Sequence, residues 1–164
     1  MNMSKNNMPI VFMGTPVFAA HILETLVENG QNIVGVVTVA DKPAGRGKKL
    51  HESEVKKIAI KHQLTLLQPT HLKDPIFIEA LKALNAAVFV VVAFRMLPEL
   101  VWKIPAKGTF NLHASLLPQY RGAASINCAI INGEKTTEVT TFFIDEKIDT
   151  GAVIDQKAIS ITES

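Results

Sequence analysis

The sequence predicts an α/β fold with a mostly parallel sheet and helices on both of its faces. Three observations carry that expectation. Short β-rich apolar runs alternate with amphipathic helical patterns along the chain. Cap-then-proline pairs mark the entry to helices. One run, Ala86 to Phe94, is apolar throughout, the pattern of a strand buried on both faces.

Ile10-Val11-Phe12-Met13, stopped by Gly14, reads as the first strand. Thr15 then suits an N-cap and Pro16 the first helical position. The helix runs to about Asn29, with Phe18, Ile22, Leu26 and the adjacent Ala19 and Leu23 on one apolar face, and Gly30 stands where a C-terminal cap belongs. Ile33 to Ala40 is the second strand, Ser53 to His62 a helix, and Leu64 to Leu67 the third strand. Asp74-Pro75 repeats the cap-then-proline signal before a helix from Ile76 to Leu84. Ala86 to Phe94 is the fourth strand and Thr109 to Ser115 the fifth, followed by a helix from Ala123 to Asn132 closed by Gly133. Val139 to Ile144 and Val153 to Ile161 are later strands.

With 164 residues, 48% of them hydrophobic, the chain suits one domain. Such a domain buries roughly 70% of the surface its unfolded chain exposes. The single cysteine, Cys128, excludes an intramolecular disulfide and is compatible with a reducing cytosol. Cys128 sits in an apolar helical pattern and is most simply a core residue. The N-terminal stretch MNMSKNNMPI lacks the apolar region of a signal peptide, and no apolar run is long enough to span a bilayer. A net charge of +2 does not dictate a partner.

The fifth strand is the unusual one. Side chains alternate along a strand, so Phe110, Leu112 and Ala114 share one face and Asn111, His113 and Ser115 the other. Three polar groups in a row must find partners or line a cleft, because an unpaired buried polar group costs a few kcal/mol. One reading makes Asn111 and His113 hydrogen-bonded core residues that tie down the loop Leu116 to Gly122. The other places them at the carboxyl end of a strand, where open α/β sheets bind ligands. There, an imidazole exchanges protons near neutral pH. A carboxamide beside it donates to a developing oxyanion. The pair suits addition to a carbonyl-type carbon. Such a histidine wants an orienting carboxylate, and Asp149 in Ile148-Asp149-Thr150-Gly151 is the candidate, although by itself it equally suits an Asx-turn.

Other motifs are missing. Gly45-Arg46-Gly47 is followed by Leu50 where a dinucleotide fingerprint needs its third glycine, and Lys42 and Lys49 break a phosphate-binding P-loop pattern. The five histidines show no metal-ligand spacing. Gly14-Thr15-Pro16 offers only a weak anion-binding signal at a helix N-terminus. The stretch Asp41 to Leu50 has four basic residues and one acidic residue among ten, punctuated by Gly and Pro. It reads as an exposed, mobile loop whose charge is either incidental or directed at phosphates, with no aromatic residue to stack on bases.

Asn111-Leu112-His113-Ala114-Ser115-Leu116-Leu117-Pro118, then Arg121-Gly122-Ala123-Ala124, then Asp149-Thr150-Gly151, together resemble the signature of the folate-dependent formyltransferases. Lys42 to Lys49 and Phe12-Met13-Gly14-Thr15-Pro16 are similar to the branch of that family acting on methionyl-initiator tRNA rather than the purine-pathway branch. The resemblance runs from about Ile10 to about Ile161. It implies a cytoplasmic enzyme with a Rossmann-like catalytic domain, 10-formyltetrahydrofolate as donor, initiator methionyl-tRNA as acceptor, and no metal. It implies Asn111, His113 and Asp149 as catalytic residues, Ser115, Leu116, Leu117 and Pro118 as the folate-contacting segment, and Arg46, Lys48 and Lys49 as tRNA contacts. Family members continue past the position of Ser164 into the rest of this domain and a C-terminal β-barrel, so the chain reads as the N-terminal portion of such a protein. The family often has Pro where Ser125 stands and usually Gly where Glu138 stands. A positive φ at the latter position would strain Glu by about 1 kcal/mol. The alternatives are a formyltransferase acting on another amine, or a non-catalytic module that binds folate or tRNA.

Overall fold

A computed structural model describes residues 7–113, 136–145 and 153–160, with the backbone alone described for 136–139 and 153–160. The expected helix from Ala123 to Asn132, the segment Ser115 to Pro118, and Asp149 lie outside the described residues. The chain divides into two compact units, Met1–Gly108 and Thr109–Ser164.

The first unit has the expected α/β class. Strands β1 (Ile10–Gly14), β2 (Ile33–Val37), β5 (Leu66–Leu67) and β6 (Val88–Val92) form a sheet in the order β5-β2-β1-β6, and every pairing is parallel. All five residues of β1 and all five of β6 are buried, as their uninterrupted apolar sequences require. β6 is shorter than the expected Ala86 to Phe94 at its far end because Ala93 turns to a φ of +48° and breaks the ladder. β2 likewise stops at Val37 rather than Ala40, although the Thr38 N–H still donates to Leu67 O at 3.1 Å.

Helix α1 (Val17–Glu28) has Pro16, not Thr15, as its N-cap. Proline is extended there (φ −77°, ψ 178°), and its carbonyl accepts the Ala20 N–H at 3.0 Å, so its missing N–H leaves no helical bond unmade. At the other end Gly30, at a φ of +74°, donates to Val27 O and Gln31 donates to Leu26 O, the Schellman arrangement that a C-terminal glycine allows. The buried stripe of α1 is Ala19, Ala20 and Leu23, while Phe18, Ile22 and Leu26 are half-buried. Small residues let the helix lie close to the sheet. Helix α2 (Glu54–Lys61) begins under Ser53, whose Oγ accepts the Lys56 N–H at 3.0 Å. In α3 (Pro75–Ala83) Asp74 caps through Ile76 N, with Pro75 in the first turn as expected. A further short helix, α4 (Glu99–Trp102), follows Pro98 and is too short to carry a helical periodicity in the sequence.

The stretch expected as a loop is a β-hairpin. β3 (Lys42–Ala44) and β4 (Lys49–His51) pair antiparallel as a separate two-stranded sheet. Gly45, Gly47 and Lys48 all take positive φ at the tip, and this closes the turn.

In the second unit β7 (Thr109–His113), β8 (Thr136–Phe143) and β9 (Val153–Ser160) form antiparallel ladders, β7 with β8 and β8 with β9. Glu138 pairs with Ala158 inside β8, so this position is extended backbone in a ladder and the glycine-like φ considered for it is not required.

Candidate active site and nucleic-acid interface

The face of β7 that carries Asn111 and His113 is set by its register with β8. Asn111 stands opposite Phe142 and His113 opposite Thr140, while Ile144 N–H donates to Thr109 O at 2.8 Å. Thr109, Thr140 and Phe142 on this side are at most 2% exposed. Asn111 and His113 are half-buried, so the imidazole is not sealed in. Its ring meets Phe142 edge-on, with centroids 6.3 Å apart and planes at 73°. That contact restricts ring orientation.

Asn111 provides the most informative atom of the site. Its Oδ1 is fully shielded and has no hydrogen-bond partner among the described residues. Leaving a buried acceptor unmatched costs about 1–3 kcal/mol, and native proteins rarely tolerate it without a reason. Rotating the carboxamide half a turn places Nδ2 at the same spot, so that spot can hold either the acceptor or the donor end of Asn111. Beside a half-buried imidazole, that arrangement can donate to an oxyanion while the ring moves a proton. Of the proposed trio, β7 brings together Asn111 and His113; Asp149 lies outside the described residues.

The second cluster is the hairpin, all of whose strand residues are exposed. Lys42 pairs with His51 and Ala44 with Lys49, so Lys42, Lys49 and His51 share one face of the ribbon. Pro43 and Leu50 pair on the other face, and Leu50 is 67% exposed. Arg46 and Lys48 occupy the tip. The hairpin thus concentrates Arg46, Lys48 and Lys49 in one projection with a basic face and an apolar face. At its foot, hydrogen bonds from Lys56 and then Gln68 hold the Asp41 carboxyl below the usual carboxylate range. The hydrogen bond to Asp41, then that to Glu52, holds the Lys56 ammonium above the usual lysine range.

Sequence reasoning missed a third feature, at the carboxyl end of β6. Ala93 sits at a φ of +48°, a strained conformation for a residue with a side chain. Arg95 donates to the carbonyls of Pro69 at 2.6 Å and Thr70 at 3.1 Å and lies over the Phe94 ring at 5.5 Å. Met96, next along, is 71% exposed. Carboxyl ends of parallel strands are where open α/β sheets place ligands. An arginine and a methionine directly after an apolar run were the available signal, obscured because Phe94 extends the run.

Among the described residues no group of three or more His, Cys, Asp or Glu side chains is placed to hold a metal ion. No helix among them is long and apolar enough to cross a membrane.

Residues 8–164 match the formyl transferase family. Over 152 residues, 93% of this chain and 48% of its own length, the methionyl-tRNA formyltransferase of Flavobacterium johnsoniae is 64% identical. That of Bacteroides fragilis is 59% identical over 162 residues, covering 99% of this chain and 50% of its own length. The chain therefore spans about half the length of the curated relatives it matches. In fold it is similar to the phosphoribosylglycinamide formyltransferase of Streptococcus pneumoniae TIGR4, with a TM-score of 0.76 at 15% identity, over 95% of this chain and 84% of that one.

Proposed function

This chain belongs to the formyl transferase family, and from that premise we propose that it is the catalytic portion of an enzyme that formylates the α-amine of methionyl-initiator tRNA, with 10-formyltetrahydrofolate as donor, in the cytoplasm. The neutral methionyl amine attacks the formyl carbon. A C–N bond forms, the carbonyl electrons move to oxygen, and the bond from carbon to the folate N10 breaks. The amine proton passes to the departing nitrogen. Asn111 donates to the oxyanion, a contribution of about 3–4 kcal/mol to the barrier for such a donor. His113, protonated, assists the same oxygen, and Asp149 orients the imidazole and helps the proton across. General acid–base assistance of this kind adds about 10²- to 10⁴-fold. Neither Cys128 nor Ser115 is needed as a nucleophile. Ser115, Leu116, Leu117 and Pro118 contact the folate, and Arg46, Lys48 and Lys49 contact phosphates of the tRNA.

The single observation that supports this chemistry best is the shielded, unmatched end of Asn111 on the same strand face as a half-buried His113. The choice of a polynucleotide acceptor over a small amine leans on the exposed basic hairpin, which a small substrate does not need.

The test is a formyl-transfer assay of the whole protein with charged initiator tRNA and, in parallel, with glycinamide-type and amino-sugar amines. Transfer to methionyl-tRNA far above the other amines is expected. Preference for a small amine would refute the assigned acceptor. Folate binding without transfer would point to a non-catalytic module, and salt-sensitive tRNA binding without folate binding to a plain RNA-binding domain.

A further inference from the structure

The basic hairpin has little of its own to fix its direction. It consists of two three-residue strands whose side chains are all exposed, and an isolated two-stranded ribbon is marginally stable in water. What holds it is its root. Asp41 directly precedes β3, and Glu52 directly follows β4. One ammonium group reaches both: Lys56 Nζ lies 2.5 Å from Asp41 Oδ2 and 3.0 Å from Glu52 Oε1. The other oxygen of Asp41 accepts from Gln68 Nε2 at 2.8 Å, and the same amide donates to Val39 O at 3.1 Å.

Lys56 is itself anchored to the sheet. Its backbone N–H is held by Ser53 Oγ at 3.0 Å, and that hydroxyl pairs with Thr38 Oγ1 at 2.7 Å in a buried contact. A continuous set of hydrogen bonds therefore runs from the end of β2 through the start of α2 to the two residues that flank the hairpin. The Lys56 side chain is only 13% exposed, unlike the exposed lysines of the hairpin, so it is poorly placed to meet a phosphate directly. Ion pairs near the surface contribute little to stability in general. The consequence of this one is geometric, because removing the cation leaves two carboxylates flanking the ribbon with their common partner gone.

We propose that Lys56 is a positioning residue: by bridging Asp41 and Glu52 at the hairpin root, it holds Arg46, Lys48 and Lys49 in the pose that meets the phosphates of the acceptor RNA. The proposal rests on the reading that the hairpin contacts RNA, and the experiment separates the two.

In the whole protein, Lys56→Met keeps the side-chain length and removes the charge, Lys56→Arg keeps the charge, and Asp41→Asn weakens the other end of the bridge. Lys56→Met is expected to raise the KM for methionyl-initiator tRNA about tenfold, within the range that misplacing a contact group by an ångström produces. The kcat, the KM for folate and the melting temperature stay unchanged. Trypsin cuts after Arg46 and Lys48 faster than in the parent, with other sites unaffected. Lys56→Arg restores most of both readouts, and Asp41→Asn shifts them in the same direction as Lys56→Met. Because Lys56 acts through the hairpin, adding Lys56→Met to a variant with Arg46, Lys48 and Lys49 all replaced by alanine costs little more than that triple variant alone. A raised tRNA KM in Arg46→Ala but not in Lys56→Met overturns the proposal. So does a loss in Lys56→Met that falls equally on kcat, both KM values and the melting temperature. An unchanged tRNA KM in Arg46→Ala removes the RNA-contact reading itself, and the proposal with it.

Discussion

Gly14 sits where the first strand gives way to the first helix, and its missing Cβ is what allows that passage. A Cβ there would stand 2.7 Å from the Ala19 Cβ and 2.7 Å from the carbonyl oxygen of Val92, neither of which can swing aside. Gly14→Ala should therefore lower the unfolding free energy by about 1–3 kcal/mol, as overpacking does, measured by urea titration. An unchanged midpoint would mean that α1 can slide outward freely. The alternation that puts Asn111 and His113 on one face could be read from period two alone. The neighbours of Asn111 and His113 across that face could not, because Phe142 and Thr140 come from a strand much later in the chain. Ala93 was hidden for a different reason: nothing in a run of valines announces that the residue after it takes a positive φ.

Elements were readable where a single local rule decides them. Ser53 and Asp74 accept hydrogen bonds at the N-termini of α2 and α3, and Gly30 closes α1, as side-chain and backbone chemistry demand. Continuous burial of β6 followed from its continuous apolar sequence. The hairpin β3–β4 was not readable, because its strands carry Lys and Pro rather than β-branched residues, and its shape depends on three positive φ values and a root pinned by Lys56 and Gln68. Arg46→Ala in the whole protein should weaken tRNA use and reduce the slope of log affinity against log salt by about 1, as expected for one lost phosphate contact, with folate binding unchanged. An unaltered slope would mean that Arg46 meets no phosphate.

Within the first unit, ion pairs tie one segment to another. Glu24 of α1 receives Lys61 Nζ at 2.8 Å, and His62 Nε2 lies 3.0 Å away. The hydrogen bond from Lys61, and after it the nearby His62 imidazole, hold the Glu24 carboxyl below its usual range. A depressed carboxylate contributes stability that is present above its unfolded value and lost as the pH falls through its folded value. Lys61 is raised by the same pair, so its share is present below the ordinary lysine range and lost only as the pH rises through the raised value. Between about pH 5 and about pH 3, Glu24→Gln should therefore show a shallower loss of unfolding free energy than the parent, measured by denaturant titration at each pH. Equal slopes would mean that the pair contributes nothing to the acid limb. At the level of the whole molecule, the α/β class was evident in the sequence because parallel strands buried on both faces must be apolar throughout. The family was evident because the motifs of β7 and the hairpin are specific. The proposed chemistry depends above all on Asn111 as an oxyanion donor, and the decisive measurement is the turnover of the whole protein carrying Asn111→Ala, at saturating formyl donor and charged initiator tRNA, beside its melting temperature. The expected result is a fall in kcat of about 10²- to 10³-fold with little change in melting temperature; a kcat equal to that of the parent would contradict the assigned role.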